Sequence, residues 1–158
     1  MNCIVPHPTD AKTYYAASAS GGVWKTIDGG TNWTALSDKW PFLMVSTIAI
    51  DNNSPDTLYV GSGDFDAAYG LGYEGLPWGK GVYKTTDGGG TWSNISDAAF
   101  AGSTVSRVLI DPDNSQIITV TTGREPTFRG EVWNSTDGGV TWAKVLGHIA
   151  CWNDLAIG

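Results

Sequence analysis

Residues 64–79 hold the densest mixture of chemistry in the chain. Asp64, Asp66 and Glu74 are interleaved there with Phe65, Tyr69, Tyr73 and Trp78. Aromatic faces stack on the C–H faces of sugar rings and carboxylates accept sugar hydroxyls, so the mixture suits a carbohydrate. Two of these carboxyl groups held roughly 5–10 Å apart would also make an acid–base pair. The plainer alternative is a loop that folds over the edge of its sheet, burying its aromatics and leaving its acids in water. A second candidate is the stretch Gly123 to Gly130, with Arg124, Glu125 and Arg129. It resembles a hairpin tip, where Glu125 paired with an arginine makes a solvated ion pair more readily than a ligand clamp. These residues are ligand-binding candidates. None is assigned as catalytic, and no metal or cofactor is expected.

Three further carboxylates recur in one pattern. Thr26-Ile27-Asp28-Gly29-Gly30-Thr31-Asn32-Trp33 returns as Thr85-Thr86-Asp87-Gly88-Gly89-Gly90-Thr91-Trp92 and as Ser135-Thr136-Asp137-Gly138-Gly139-Val140-Thr141-Trp142. Each has a hydroxyl residue two before an aspartate, then two glycines, then a tryptophan. Glycine supplies the positive φ of a tight hairpin turn, and aspartate accepts hydrogen bonds from the turn's own amides. Calcium needs several oxygen ligands, and each turn offers one carboxylate. Asp28, Asp87 and Asp137 therefore read as staples, with Thr26, Thr85 and Ser135 adding a hydroxyl and Trp33, Trp92 and Trp142 the aromatic bulk.

These turns must be carried by strands. Ser46-Thr47-Ile48-Ala49-Ile50-Asp51 recurs as Ser106-Arg107-Val108-Leu109-Ile110-Asp111, with degenerate copies at Asn2 to His7 and Asn153 to Gly158. A second β-branched and aromatic run follows each full copy, a third leads into the turn and a fourth leaves it. The repeat of roughly 50–60 residues suits a four-stranded propeller blade with loop growth. The chain thus predicts an all-β fold, a partial β-propeller. Blade one spans residues 2–38, blade two 45–96 and blade three 105–147, and 151–158 begins a fourth. Blade two is the longest of the three because of residues 64–79, and insertions of this kind are where binding sites are grafted onto repeat folds. Both candidate loops follow second strands, which predicts that they project on one side of the array.

Charge narrows the partners. The chain carries 16 acidic and 9 basic residues for a net charge of −7, and the basic residues are scattered. Nucleic-acid binding needs a basic surface and is not expected. No run approaches the ~20 apolar residues of a membrane-spanning helix, so membrane insertion is not expected. Met1 leads into a strand-like run without a signal-peptide pattern, so a secreted or cell-surface location calls for a targeting segment in a longer parent chain. Cys3 and Cys151 open apolar runs and read as small buried hydrophobes. His7 and His148 lie near strand ends without an acid or nucleophile at useful spacing, which favours a turn or cap role. The stretches beginning at Asn32, Asn94 and Asn134 fit the glycosylation sequon, and two overlap the repeated turn, where a glycan would crowd the hairpin.

The repeated Ser/Thr-x-Asp-x-Gly-x-x-Trp pattern resembles the Asp-box, or bacterial neuraminidase repeat, of sialidases, xyloglucan-degrading propeller hydrolases and sortilin-type receptors. With the preceding strand units, the chain looks most like large exported bacterial propellers related to xyloglucanases and sortilin domains. The resemblance covers essentially the whole chain. It implies a structural place for the boxes at the outer edge of each blade and transfers nothing catalytic to Asp28, Asp87 or Asp137. A sialidase-type site implies an arginine triad, whereas the chain has only Arg107, Arg124 and Arg129, with none in blade one. A xyloglucanase-type site implies two aspartates from distant blades across a cleft between two propellers, of which this length holds at most a part.

The function expected is that of a non-catalytic propeller portion binding glycans or proteins. The alternative is part of a glycoside hydrolase of xyloglucanase or sialidase type, without a complete active site. Propellers close with about four to eight blades. Three blades and a strand therefore call either for more chain or for self-association, for instance two copies making a six-bladed ring.

Overall fold

Alternating β-branched and aromatic residues, cut every few positions by glycine, proline or aspartate, leave room only for short strands joined by tight turns. The computed structural model describes residues 2–63, 79–95, 103–124 and 129–150, and all regular secondary structure among them is strand. The first sheet holds β1 (Cys3–Pro6), β2 (Tyr14–Ser18), β3 (Gly22–Thr26) and β4 (Thr34–Ala35). The second holds β5 (Val45–Ile50), β6 (Leu58–Ser62), β7 (Val82–Thr85) and β8 (Ser93–Asn94). The third holds β9 (Thr104–Ile110), β10 (Ile118–Arg124), β11 (Arg129–Ser135) and β12 (Ala143–Ala150). In each sheet the strands lie in sequence order and every neighbouring pair is antiparallel. The strand expected over 151–158 lies outside the described residues, together with Cys151.

Two apolar layers hold the sheets together. Between the first and second, Tyr15, Ala17 and Val23 meet Val45, Ile48, Leu58 and Val60. Between the second and third, Tyr59 and Val82 meet Val105, Val108, Ile118 and Val120. The middle sheet is buried on both faces, which is why β6 is buried along its whole length and carries almost no alternation. The inner strands β1, β5 and β9 lie side by side. Three four-stranded antiparallel sheets, stacked face to face with neighbouring inner strands, make a partial β-propeller. We call the sheets blades one, two and three.

Candidate functional site

The feet of the longest loop are pinned to blade three. Ser62 closes the base of that loop: its hydroxyl donates to the Gly81 carbonyl at 2.8 Å and accepts from the Lys80 amide at 2.6 Å. Gly63 has φ +103°, and its amide donates to the Met44 carbonyl at 2.9 Å. A β-carbon on Gly63 would lie 2.7 Å from the Thr104 methyl, so only glycine fits this close approach. Thr104 in turn pairs with Gly123, next to Arg124. Gly63, Thr104 and Gly123 therefore form one contiguous line, which sets the feet of the two candidate loops at the same end of the blades. Arg124 and Arg129 face each other as register partners at the end of the β10–β11 hairpin. Asp64, Asp66, Tyr69, Tyr73, Glu74 and Trp78, with Glu125, lie outside the described residues.

An aromatic cluster that the sequence reading did not single out packs between blades one and two. The Trp40 ring stacks on Tyr83 with centroids 4.8 Å apart and meets Trp92 edge-on at 5.3 Å. Phe42 completes the group, 5.2 Å from Tyr83. All four rings are half-buried. The available signal was the aromatic content of the linker 38–44 between two blades.

At the opposite ends of the same strands lie the repeated turns. In the second, the Thr85 hydroxyl donates to Asp87 Oδ1 at 2.7 Å and accepts from the Gly89 amide at 3.1 Å. Asp87 Oδ1 also accepts from the Thr91 amide at 2.9 Å, and Oδ2 accepts from the Thr91 hydroxyl at 2.7 Å. Asn32 replaces Thr91 in the first turn, its side-chain amide donating to Asp28 Oδ2 at 2.7 Å. Thr141 does the same for Asp137 in the third. Trp33 and Trp92 donate their indole N–H to the second turn glycine, whereas Trp142 donates across the blade boundary to the Ile95 carbonyl at 3.0 Å.

Both oxygens of each aspartate thus accept hydrogen bonds from the turn, which stabilises the charged form. The Asn32 amide foremost holds Asp28 down at about 2, and the Thr141 hydroxyl does the same for Asp137 at about 2. The Thr85 hydroxyl foremost holds Asp87 well below the usual carboxylate range. Such groups are too acidic to carry a proton at neutral pH and too weak as bases to take one, so they are poor general acid–base catalysts.

The second and third turns also receive the preceding blade. Lys25 on β3, lying over the Tyr15 ring at 5.1 Å, donates to the Gly88 carbonyl at 3.3 Å. Lys84 on β7, lying over Tyr59 at 5.1 Å, donates to the Gly138 carbonyl at 3.0 Å. Leu36 and Ile95, just beyond the fourth strands, pack under Gly89 and Gly139 so closely that a β-carbon on either glycine would collide with them. The sequence reading missed this latch. Its signal was a lysine immediately before the turn hydroxyl in the first two repeats.

The remaining chemistry-bearing residues are occupied locally. His7 Nδ1 accepts from the Thr9 amide at 3.3 Å, and burial pushes the Cys3 thiol up, away from reactivity. The sequon amides of Asn32, Asn94 and Asn134 donate to Asp28, to the Lys80 carbonyl and to Thr119 respectively. Among the described residues no three His, Cys, Asp or Glu side chains gather to hold a metal ion.

Fold and site together define a section of a repeat propeller whose turns lock successive blades. No protein-family model matches the chain. It is similar to a xyloglucanase of Hypocrea jecorina, 26% identical over 159 residues, covering 93% of this chain and 18% of that protein. It is also similar to the xyloglucanase Xgh74A of Acetivibrio thermocellus, 27% identical over 156 residues, covering 92% of this chain and 17% of that protein. Among solved structures, a GH74 enzyme of Niastella koreensis superposes with a TM-score of 0.68 at 25% identity, over 90% of this chain and 22% of that one. The chain spans less than a quarter of the length of each of these relatives.

Proposed function

We propose that this chain is a three-blade section of a xyloglucanase-like glycoside hydrolase, and that its part is to bind the polysaccharide. Hydrolysis belongs to the larger enzyme, of which these blades supply one wall. The observation that carries the reading is the similarity to xyloglucanases along 93% of the chain. The feet of the two candidate loops, which meet through Gly63, Thr104 and Gly123, support it. On this reading the turns are Asp-boxes, which lock blades and take no part in catalysis, and the working protein is secreted, where plant polysaccharide is met.

The test is affinity electrophoresis in gels containing xyloglucan, with reducing-sugar release measured in parallel. The chain is expected to be retarded by xyloglucan and not by sialylated glycans, and to release little sugar by itself. Asp64→Ala and Trp78→Ala are each expected to weaken retardation about tenfold, a loss of roughly 1.4 kcal/mol, with unchanged melting temperature. Migration unaffected by xyloglucan would overturn the proposal.

A further inference from the structure

Three consecutive residues of blade three lie against three glycines of blade two. A β-carbon on Gly61 would lie 2.7 Å from a Val105 methyl, and one on Gly63 would lie 2.7 Å from the Thr104 methyl. One on Gly79 would run into the Ser103 carbonyl oxygen and lie 2.8 Å from the Thr104 Cα. Each approach is too close for any side chain, so Ser103, Thr104 and Val105 nest on bare backbone. The Ser46 hydroxyl knots the inner end of this contact, shared between the carbonyls of Gly61 and Val105.

Blade one is built otherwise. Ala17 holds the place of Gly61, being the register partner of Val23 where Gly61 partners Val82. The turn between β2 and β3 leans on the chain that leaves its own blade. The Gly22 amide donates to the Leu43 carbonyl at 2.8 Å, and a β-carbon on Gly22 would strike Ser37. The close approach of the next blade thus goes with the long connection of blade two and not with the short one of blade one. Both feet of the stretch 64–78 leave strands of blade two, yet both rest on blade three. Gly63 is clasped between the Met44 carbonyl and the Thr104 side chain, and Gly79 between the Ser62 and Ser103 carbonyls. Thr104 is buried, and its backbone pairs with Gly123 at the base of the β10–β11 hairpin.

We infer that Thr104 is a positioning residue for polysaccharide binding. Its side chain fixes the entry foot of the blade-two loop, and its backbone fixes the base of the blade-three hairpin. Both candidate loops therefore start from one support. A shared support keeps the two feet at one spacing with and without ligand, which lowers the ordering cost of binding. The inference rests on the reading of residues 64–78 as xyloglucan-binding.

The test compares Thr104→Val, Thr104→Gly and Thr104→Gly with Gly63→Ala against the wild type, by retardation in xyloglucan gels and by thermal melting. Thr104→Val keeps the branched shape under Gly63 and is expected to bind within about twofold of the wild type. Thr104→Gly empties that place and is expected to bind about tenfold more weakly. Adding Gly63→Ala returns a methyl group to the gap and should recover most of that loss. Alanine at φ +103° should meanwhile lower the melting temperature further. Binding and stability that move in opposite directions separate positioning from general destabilisation. A second readout needs no ligand: chymotryptic cleavage of the native chain at Phe65, Tyr69 and Tyr73. Thr104→Gly should be cut about tenfold faster than the wild type, because cleavage follows the population of opened chains, and Thr104→Val should not. A wild type that runs unretarded overturns the proposed function, and cleavage then still decides whether Thr104 holds the loop. If the double variant does not fold, the contrast between Thr104→Val and Thr104→Gly decides. Thr104→Gly that binds like the wild type overturns the inference, and so does Thr104→Gly cut at the wild-type rate.

Discussion

At the scale of single residues, the turn aspartates work by accepting donors at both oxygens. Each accepts from backbone amides and side chains within four residues, so its charge is held in place by donors that the turn already needs to satisfy. The consequence is a defined acid response. A carboxylate whose folded pKa lies below its unfolded value stabilises the fold fully above about pH 4, and that stabilisation is lost as pH falls through the folded value. For Asp28 and Asp137 the window runs from about 4 down to about 2. Asp137→Asn is expected to melt a few degrees lower at pH 7. It should also lose less of its melting temperature than the wild type between pH 4 and pH 2. Thermal melts at several pH values check both, and parallel acid limbs would refute the account. The hydroxyl–aspartate–tryptophan spacing was legible in the sequence because most of its bonds close within eight residues. The latch lysines were not, because Lys25 and Gly88 are 63 residues apart.

At the scale of elements, the strands and their antiparallel order were legible because each run alternates or is apolar throughout, and each ends at a turn signal. The irregularities were not. β12 runs on to Ala150 with two register shifts against β11, and β9 shifts against β10 between Thr121 and Thr122. These depend on how neighbouring strands twist, which no local pattern records. The turn glycines join element to element in a way that can be tested. Gly89 has φ +99°, and a β-carbon there would strike Leu36 of the preceding blade. Gly89→Ala is therefore expected to destabilise the chain by about 1–3 kcal/mol through backbone strain and overpacking together. At Gly29, with φ +75° and open space above it, alanine meets only the strain and should be the milder change. Urea unfolding of both variants separates the two effects, and equal losses would show that the Leu36 contact is immaterial.

At the scale of the whole molecule, stability is shared between neighbours rather than held in one core, as in other repeat arrays. Blade two is clasped from both sides: Tyr15, Lys25 and Leu36 reach it from blade one, while Tyr59, Lys84 and Ile95 reach from it to blade three. On the side of the β1–β2 and β5–β6 connections, Ser115 donates to Asp51 at 2.7 Å and Asn53 donates to the Pro112 carbonyl, tying blades two and three again. Opening blade two breaks two interfaces, whereas opening blade one breaks one. Amide exchange should therefore be slowest in β6, whose five residues are all buried, and faster in β1, where Ile4 is 49% exposed. Uniform protection across the three blades would mean that they unfold as one unit, and that the latches add little to the apolar layers between them.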